Sequence, residues 1–192
     1  MKPLLSILLF FILGANTFHN DFSAKLSDAA ISLIDPSVAY VPAYVKIGYP
    51  SGDVPKNTGV CTDVVIRAYR KVGIDLQKEV HEDMSKRFSE YPKIWGLKST
   101  DRNIDHRRVP NLQTFFKKHG KVLSITQNPE DYKPGDIVIW MLPNNLPHIG
   151  IVVNRKSKDK KRYLVVHNIG SGQVAEDMLF DYTITGHYSY QK

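Results

Sequence analysis

The sequence is poor in cysteine, in long apolar runs and in metal-binding motifs. Its 192 residues include one cysteine, Cys61, which excludes an internal disulfide. The apolar run from Leu4 to Leu13 is too short to cross a bilayer. No CxxC or HxxxH pair is present, so a zinc site built from Cys61 and the histidines ranks low and we predict no metal or other cofactor. Internal repeats and low-complexity tracts are also absent from the sequence.

The first residues have the composition of a secretory signal peptide. Lys2 precedes the short apolar run, and small residues between Gly14 and Thr17 offer a cleavage region. We therefore predict a signal peptide at 1–17, a single domain at 18–192, and export to the periplasm or the extracellular space. An uncleaved anchor is the alternative.

The net charge of +7 is spread over several short basic clusters. The densest, at 155–162, is expected at a solvated hairpin tip. Nucleic-acid binding would need basic residues interleaved with exposed aromatics on one element, so we predict no nucleic-acid partner. A basic surface suits an anionic wall polymer or a membrane face, and simple solubility is the alternative. We expect a monomer.

The lone cysteine lies at the predicted start of a buried helix. Val65, Ala68 and Val72 recur with Cys61 at helical spacing, and Gly73 provides a left-handed end. Unsatisfied N–H groups at a helix start favour an anion, so we expect the pKa of the thiol to be lowered toward the reactive thiolate. A buried apolar filler is the alternative. An unpaired cysteine in an exported chain favours the catalytic interpretation.

Two histidines fall in a predicted C-terminal sheet. Strands are predicted at 137–142, 148–154, 162–168 and 183–190 after a mainly helical first half, so the fold class is α+β. In one hairpin register His148 and His167 share a face; a shift by one residue would put Asn168 there. Gly150 leaves room on that face. A thiol, an imidazole base and a third polar group make a cysteine hydrolase site, although a strand histidine can also be purely structural.

The polar stretch 95–108 is a further candidate. It holds few apolar residues and ends on Asp105, His106, Arg107 and Arg108. Because arginine can clamp a carboxylate bidentately, we predict that these four residues bind substrate. Salt bridges that tie the loop to the core are the alternative.

Several motifs are similar to those of the NlpC-like, papain-related cell-wall cysteine hydrolases: Gly59-Val60-Cys61-Thr62-Asp63, Pro134-Gly135-Asp136, His148-Ile149-Gly150 and Val166-His167-Asn168. The chain more closely resembles a family of exported bacterial proteins that is itself a domain of unknown function. That likeness is carried by the stretch from Asn103 to Leu112 and by the ending Gly186-His187-Tyr188, and it covers nearly the whole mature chain.

The resemblance implies a papain-like fold in which the nucleophile helix packs on a C-terminal antiparallel sheet. It also implies a role for four residues. Cys61 would be the nucleophile, His148 the base and His167 the residue that orients the base, with Tyr49, twelve positions upstream of the cysteine, near the oxyanion. The hydrolases usually carry Asp-Cys-Ser-Gly around the nucleophile, whereas residues 60–63 here read Val-Cys-Thr-Asp.

The function that follows is an exported hydrolase that cleaves an amide bond in a peptidoglycan stem peptide through a thioacyl intermediate. Its partner would be peptidoglycan or another cell-envelope substrate. The alternatives are a thiol acyltransferase or thioesterase, a non-catalytic envelope-binding module, and a toxin-like effector delivered to rival cells. The sequence does not separate hydrolysis from acyl transfer.

Overall fold

A computed structural model describes the backbone of residues 15–192 and the side chains from residue 21 onward. The helices are α1 (Ala15–Ile31), α2 (Cys61–Lys71), α3 (Leu76–Arg87) and α4 (Val109–His119). The strands are β1 (Ala39–Tyr40), β2 (Thr58–Gly59), β3 (Lys121–Val122), β4 (Ile137–Leu142), β5 (Leu146–Lys156), β6 (Tyr163–Asn168), β7 (Gln173–Glu176) and β8 (Thr183–Ser189).

The predicted signal peptide at 1–17 lies outside the described residues, apart from 15–17, where α1 begins. Its cleavage and the export that it implies therefore stay predictions. No helix within residues 15–192 is long and apolar enough to span a membrane.

The sheet has six strands in the order β3-β8-β4-β5-β6-β7, and every neighbouring pair is antiparallel. One face packs against α1, α2 and α4. The other face, which carries Trp140, Val152 and Val165, packs against the loops that hold Tyr132 and Leu179. The predicted α+β fold, with the nucleophile helix on an antiparallel sheet, is confirmed.

Helix α2 starts at Cys61 because the chain changes conformation at the preceding residue. Val60 is extended, with φ of −125°, and its N–H donates to the Asp63 carboxylate over 2.7 Å. An acidic side chain at the third helical position satisfies a donor that would otherwise be orphaned. Gly73, with φ of +86°, follows the helix in the left-handed conformation that was predicted for it.

The hairpin of β5 and β6 has the register that puts both strand histidines on one face. Ile151 pairs with Val166. A side chain at Gly150 would bring its Cβ within 3.2 Å of His167 Cβ and 2.6 Å of Val165 Cγ1. The missing side chain therefore leaves the space that His167 uses, as the sequence predicted. Asn168 lies on the opposite face and does not replace it.

Candidate active site

The Cys61 thiol is buried at the start of α2, where three backbone amides face it. These are its own N–H and those of Thr62 and Ile149, and each lowers the pKa of the thiol. Burial acts more strongly in the other direction: only 4% of Cys61 is exposed, and desolvation raises the pKa to about 12. The prediction of a thiolate-favouring resting state was therefore wrong, because the helix terminus is closed to water.

The environment of His148 favours its neutral form. Burial, followed by the neighbouring His167, lowers its pKa to about 3. Burial raises the pKa of the thiol and lowers that of the imidazole, so both shifts disfavour a resting thiolate–imidazolium pair. The thiol and the imidazole are therefore both neutral at rest.

The two predicted histidines are in direct contact. His148 Nε2 lies 3.0 Å from His167 Nδ1, and the rings meet edge to face at a centroid distance of 5.1 Å. On its other side, His167 Nε2 lies 3.1 Å from Glu176 Oε2. The result is a continuous chain of three polar side chains from β5 through β6 to β7.

His148 and His167 project from the sheet face that carries Trp140 and Val165, whereas α2 and Cys61 pack on the other face, and the thiol makes no direct hydrogen bond to either ring. The strand contact of the thiol is the N–H of Ile149, the residue that follows His148. Among the described residues, no hydrogen bond joins Cys61 to either imidazole. In unliganded enzymes, catalytic hydrogen bonds are often long and shorten when substrate binds.

An ion pair fixes the start of α2 next to the cysteine. Arg107 holds Asp63 bidentately, with Nε 2.8 Å from Oδ1 and Nη2 3.0 Å from Oδ2. Both side chains are only 3% exposed. Thr62 adds a hydrogen bond from its hydroxyl to the Arg107 carbonyl over 3.0 Å. The polar loop at 95–108 therefore anchors the start of α2.

The substrate-binding prediction for Asp105, His106 and Arg107 is not supported by their positions, because all three are buried. Arg107 is committed to Asp63, so the salt-bridge alternative describes it. Burial raises the pKa of Asp105 to about 6 and lowers that of His106 to about 3, as expected for charges removed from water. Arg108 alone keeps a side chain at the surface, 15% exposed, with its guanidinium 4.1 Å from the Trp95 ring centroid.

The structure does not bring Tyr49 to the cysteine. Its ring packs edge-on against His81 at 5.1 Å, and the charged groups that affect its pKa lie on α3 and around it. Tyr40 takes that place, because β1 and β2 pair in parallel and set Tyr40 opposite Gly59. Burial, with Cys61 next in importance, raises the pKa of Tyr40 to about 12. The sequence has tyrosines at 40, 44 and 49, and no local pattern indicates which of the three lies near Cys61.

Asp63 and Glu176 were also missed by sequence reasoning. An acidic residue at the third helical position could have identified Asp63 as a cap. Nothing comparable marks Glu176, since β7 is only four residues long. No group of three or more histidine, cysteine or acidic residues within residues 15–192 could hold a metal ion.

The fold defines a class of protein. The structure superposes on the N-acetylmuramoyl-L-alanine amidase of Bacteroides uniformis with a TM-score of 0.51 and 15% identity, covering 90% of this chain and 100% of that one. It also matches NlpC1 of Trichomonas vaginalis with a TM-score of 0.46 and 15% identity, over 94% of this chain. The chain spans about half of NlpC1, 47% of its length. The protein thus shares its overall fold with the Bacteroides uniformis amidase.

Within that class the chain belongs to the family described as Domain of unknown function (DUF1287), which it matches over residues 27–190. It is 53% identical over 165 residues to the uncharacterized protein YijF of Escherichia coli K12. That alignment covers 86% of this chain and 80% of YijF. The predicted membership of a family of unassigned function that resembles the NlpC-like hydrolases is confirmed.

Proposed function

We propose that this protein is an exported cysteine hydrolase that cleaves an amide bond in peptidoglycan stem peptides. Cys61 is the nucleophile, His148 the base and His167 the residue that orients the base. The observation that carries the proposal is the 3.0 Å contact between His148 Nε2 and His167 Nδ1, beside the one strand amide that faces the thiol.

The reaction takes place in two steps. The Cys61 sulfur attacks the carbonyl carbon while its proton passes to His148, and the tetrahedral intermediate then loses the amine, which takes that proton. Water next attacks the thioester carbon, again through His148, and releases the carboxylic acid and the thiol. Because a free thiolate is so unfavourable in the resting site, proton transfer accompanies the attack.

Two donors could stabilise the oxyanion. One is the backbone N–H of Cys61, at the positive end of α2. The other is the Tyr40 hydroxyl, which takes the role that the sequence assigned to Tyr49. A pKa of about 12 keeps this phenol protonated at neutral pH, so it can donate a hydrogen bond.

Two observations support the proposed substrate class, namely the name of a protein with this fold and a partly exposed cation. The Bacteroides uniformis relative is an amidase by name, and its name places the amide between a muramoyl sugar and alanine. On this chain, Arg108 and the partly exposed Trp95 form a surface with one positive charge. We assign substrate carboxylate binding to Arg108 alone of the four residues predicted for it.

A non-catalytic envelope-binding module is the second candidate, and the burial of Cys61 favours it. A 4% exposed thiol with a raised pKa behaves like an apolar filler until something opens the site. In a binding module, Cys61→Ala would leave binding to wall fragments unchanged and wild type would release no product.

The proposal can be tested by incubating soluble muropeptides with wild type and with Cys61→Ala and identifying the products by mass spectrometry. We expect wild type alone to produce fragment pairs whose summed mass exceeds the parent by one water. The fragment masses also distinguish a muramoyl–alanine bond from a bond within the stem peptide, and a product joined to an added amine would reveal acyl transfer. No new fragment from wild type, or equal cleavage by Cys61→Ala, would remove the hydrolase.

A further inference from the structure

Glu176 closes the far end of the histidine pair. Strand β7 lies antiparallel to β6 with Val174 opposite His167 and Glu176 opposite Val165, so Glu176 reaches His167 diagonally on the same face. Its carboxylate is 3.1 Å from His167 Nε2. The Glu176 side chain is 46% exposed, whereas His167 is completely buried. Glu176 is thus the solvent end of a chain that runs inward to His148.

We propose that Glu176 is a positioning residue, which fixes the tautomers of both histidines so that Nδ1 of His148 is left without a proton. The inference rests on the proposed function of His148 as the base, and it adds a residue that touches neither substrate nor thiol.

The tautomers follow from donor and acceptor counting. A carboxylate can only accept, so the proton on His167 sits on Nε2 and is donated to Glu176. A neutral imidazole has one N–H, so His167 Nδ1 is bare and accepts from His148 Nε2–H at 3.0 Å. The remaining nitrogen of His148, Nδ1, is then bare as well. A bare nitrogen is what a base needs to take a thiol proton.

The two histidines alone do not determine which of their ring nitrogens carry the protons. If His167 carried its proton on Nδ1, it would donate to His148 Nε2 and force the His148 proton onto Nδ1, where it would block the base. His167 is completely buried, so water cannot hydrogen-bond to its ring and decide between the two arrangements there. Burial lowers the pKa of His167, while the charge and hydrogen bond of Glu176 act in the opposite direction, and this shows that the carboxylate interacts directly with the ring.

Nuclear magnetic resonance of ring nitrogens in 15N-histidine-labelled protein at neutral pH reads these tautomers without any substrate. In wild type we expect both His148 and His167 to be protonated on Nε2. Glu176→Ala should move part of the His148 population to Nδ1–H and lower kcat on muropeptides about 10-fold, the factor typical of one hydrogen bond, with KM unchanged. Glu176→Gln, whose amide oxygen still accepts, should restore most of both. Glu130→Ala, at an exposed glutamate elsewhere, is the control.

Wild-type His167 protonated on Nδ1 would overturn the proposal. So would unchanged tautomers in Glu176→Ala, whether or not kcat falls. The spectrum also separates this inference from the hydrolase proposal: expected tautomers in a protein that cleaves nothing would uphold the positioning role and remove the reaction. Unchanged kcat in Glu176→Ala, in a protein that does cleave, would remove the positioning role and leave the hydrolase.

Discussion

His187 and His148 are both buried in the sheet, yet their ring nitrogens are used differently. His187 Nε2 lies 2.9 Å from an Asp136 carboxylate oxygen, and its Nδ1 donates to the Ser124 carbonyl over 2.9 Å. Its ring stacks on Tyr132 at 4.3 Å. Within residues 15–192, His148 makes one side-chain hydrogen bond, through Nε2 to His167.

The difference separates polar groups that hold the fold from those that can react. His187 is satisfied on both nitrogens, and the buried Asp63–Arg107 pair is likewise complete. A satisfied buried group contributes stability and has nothing left to offer a substrate. The chain from Glu176 to His148 ends instead at an unused nitrogen next to the strand that contacts Cys61.

The largest effect on activity is expected from removing the imidazole of His148, the proposed base. We expect His148→Ala to lower kcat/KM on muropeptides by about 10³-fold or more, as is typical for removal of a general base. Its free energy of unfolding should fall by about 1–3 kcal/mol, because the missing ring leaves a cavity and removes the partner of His167 Nδ1. Product mass and urea unfolding measure the two quantities, and a variant as active as wild type would reduce His148 to a structural residue.

Breaking the buried Asp63–Arg107 ion pair should instead lower the stability of the protein. Arg107→Ala leaves the Asp63 carboxylate buried and unpaired, so we expect the free energy of unfolding to fall by about 3–5 kcal/mol. Arg155→Ala is the matched control. It should change that free energy by less than about 1 kcal/mol, since Arg155 is exposed and makes no ion pair within the described residues. Equal stability of the two variants would refute the anchoring role of the loop.

His187→Ala should also lower the free energy of unfolding, but by less than Arg107→Ala does. Losing the ring removes one of two partners from Asp136, which keeps the Lys133 N–H, and removes the partner of the Ser124 carbonyl, for an expected cost of about 1–3 kcal/mol. The fraction that remains folded should cleave muropeptides at the wild-type rate. A folded His187→Ala protein without activity would erase the distinction between the two histidines.

Per pH unit, the smallest effect is a pH dependence of stability. Burial lowers the pKa of His148 and His106 from 6.5 to about 3, so below pH 6.5 the unfolded chain takes up two protons that the folded one does not. His167 acts in the same direction. Asp105 opposes them, because its pKa is raised from 3.8 to about 6 and the folded state binds that proton first.

The unfolded state is therefore the greater proton binder between about pH 4 and 6.5, and stability falls as pH falls through that window. The slope should be at least about 1.4 kcal/mol per pH unit, the value for one net proton. Urea unfolding at pH 4.5, 5.5 and 6.5 measures it, and His148→Ala should flatten it. A free energy of unfolding that rises on acidification would contradict the burial of these histidines.

Local patterns predicted the parts of the fold that depend on local sequence. Helical spacing from Cys61 to Gly73 identified α2, and the apolar runs around His148 and His167 identified the hairpin and the face that they share. The Tyr40 position depends on a parallel pair, β1 with β2, between segments far apart in the chain. No periodicity in two-residue strands could have indicated it.

The electrostatics of the site were least accessible from the sequence. Helix position predicted a lowered pKa for the thiol, but the sign was decided by how completely the sheet and loops cover Cys61. Burial also decides the role of residues 105–107. The sequence predicted a binding loop there, but the loop folds inward because Asp63 is a buried ion-pair partner for Arg107. Burial is a property of the assembled fold, and composition did not reveal it.

The most direct test of the central claim is the mass of the intact protein, quenched in acid during turnover of muropeptides. A nucleophilic Cys61 predicts a population heavier by the acyl fragment, attached at Cys61, released by hydroxylamine and absent from Cys61→Ala. Covalent catalysis by this cysteine would be contradicted if product accumulated and no acyl protein formed, either in wild type or in the slower variant Glu176→Ala.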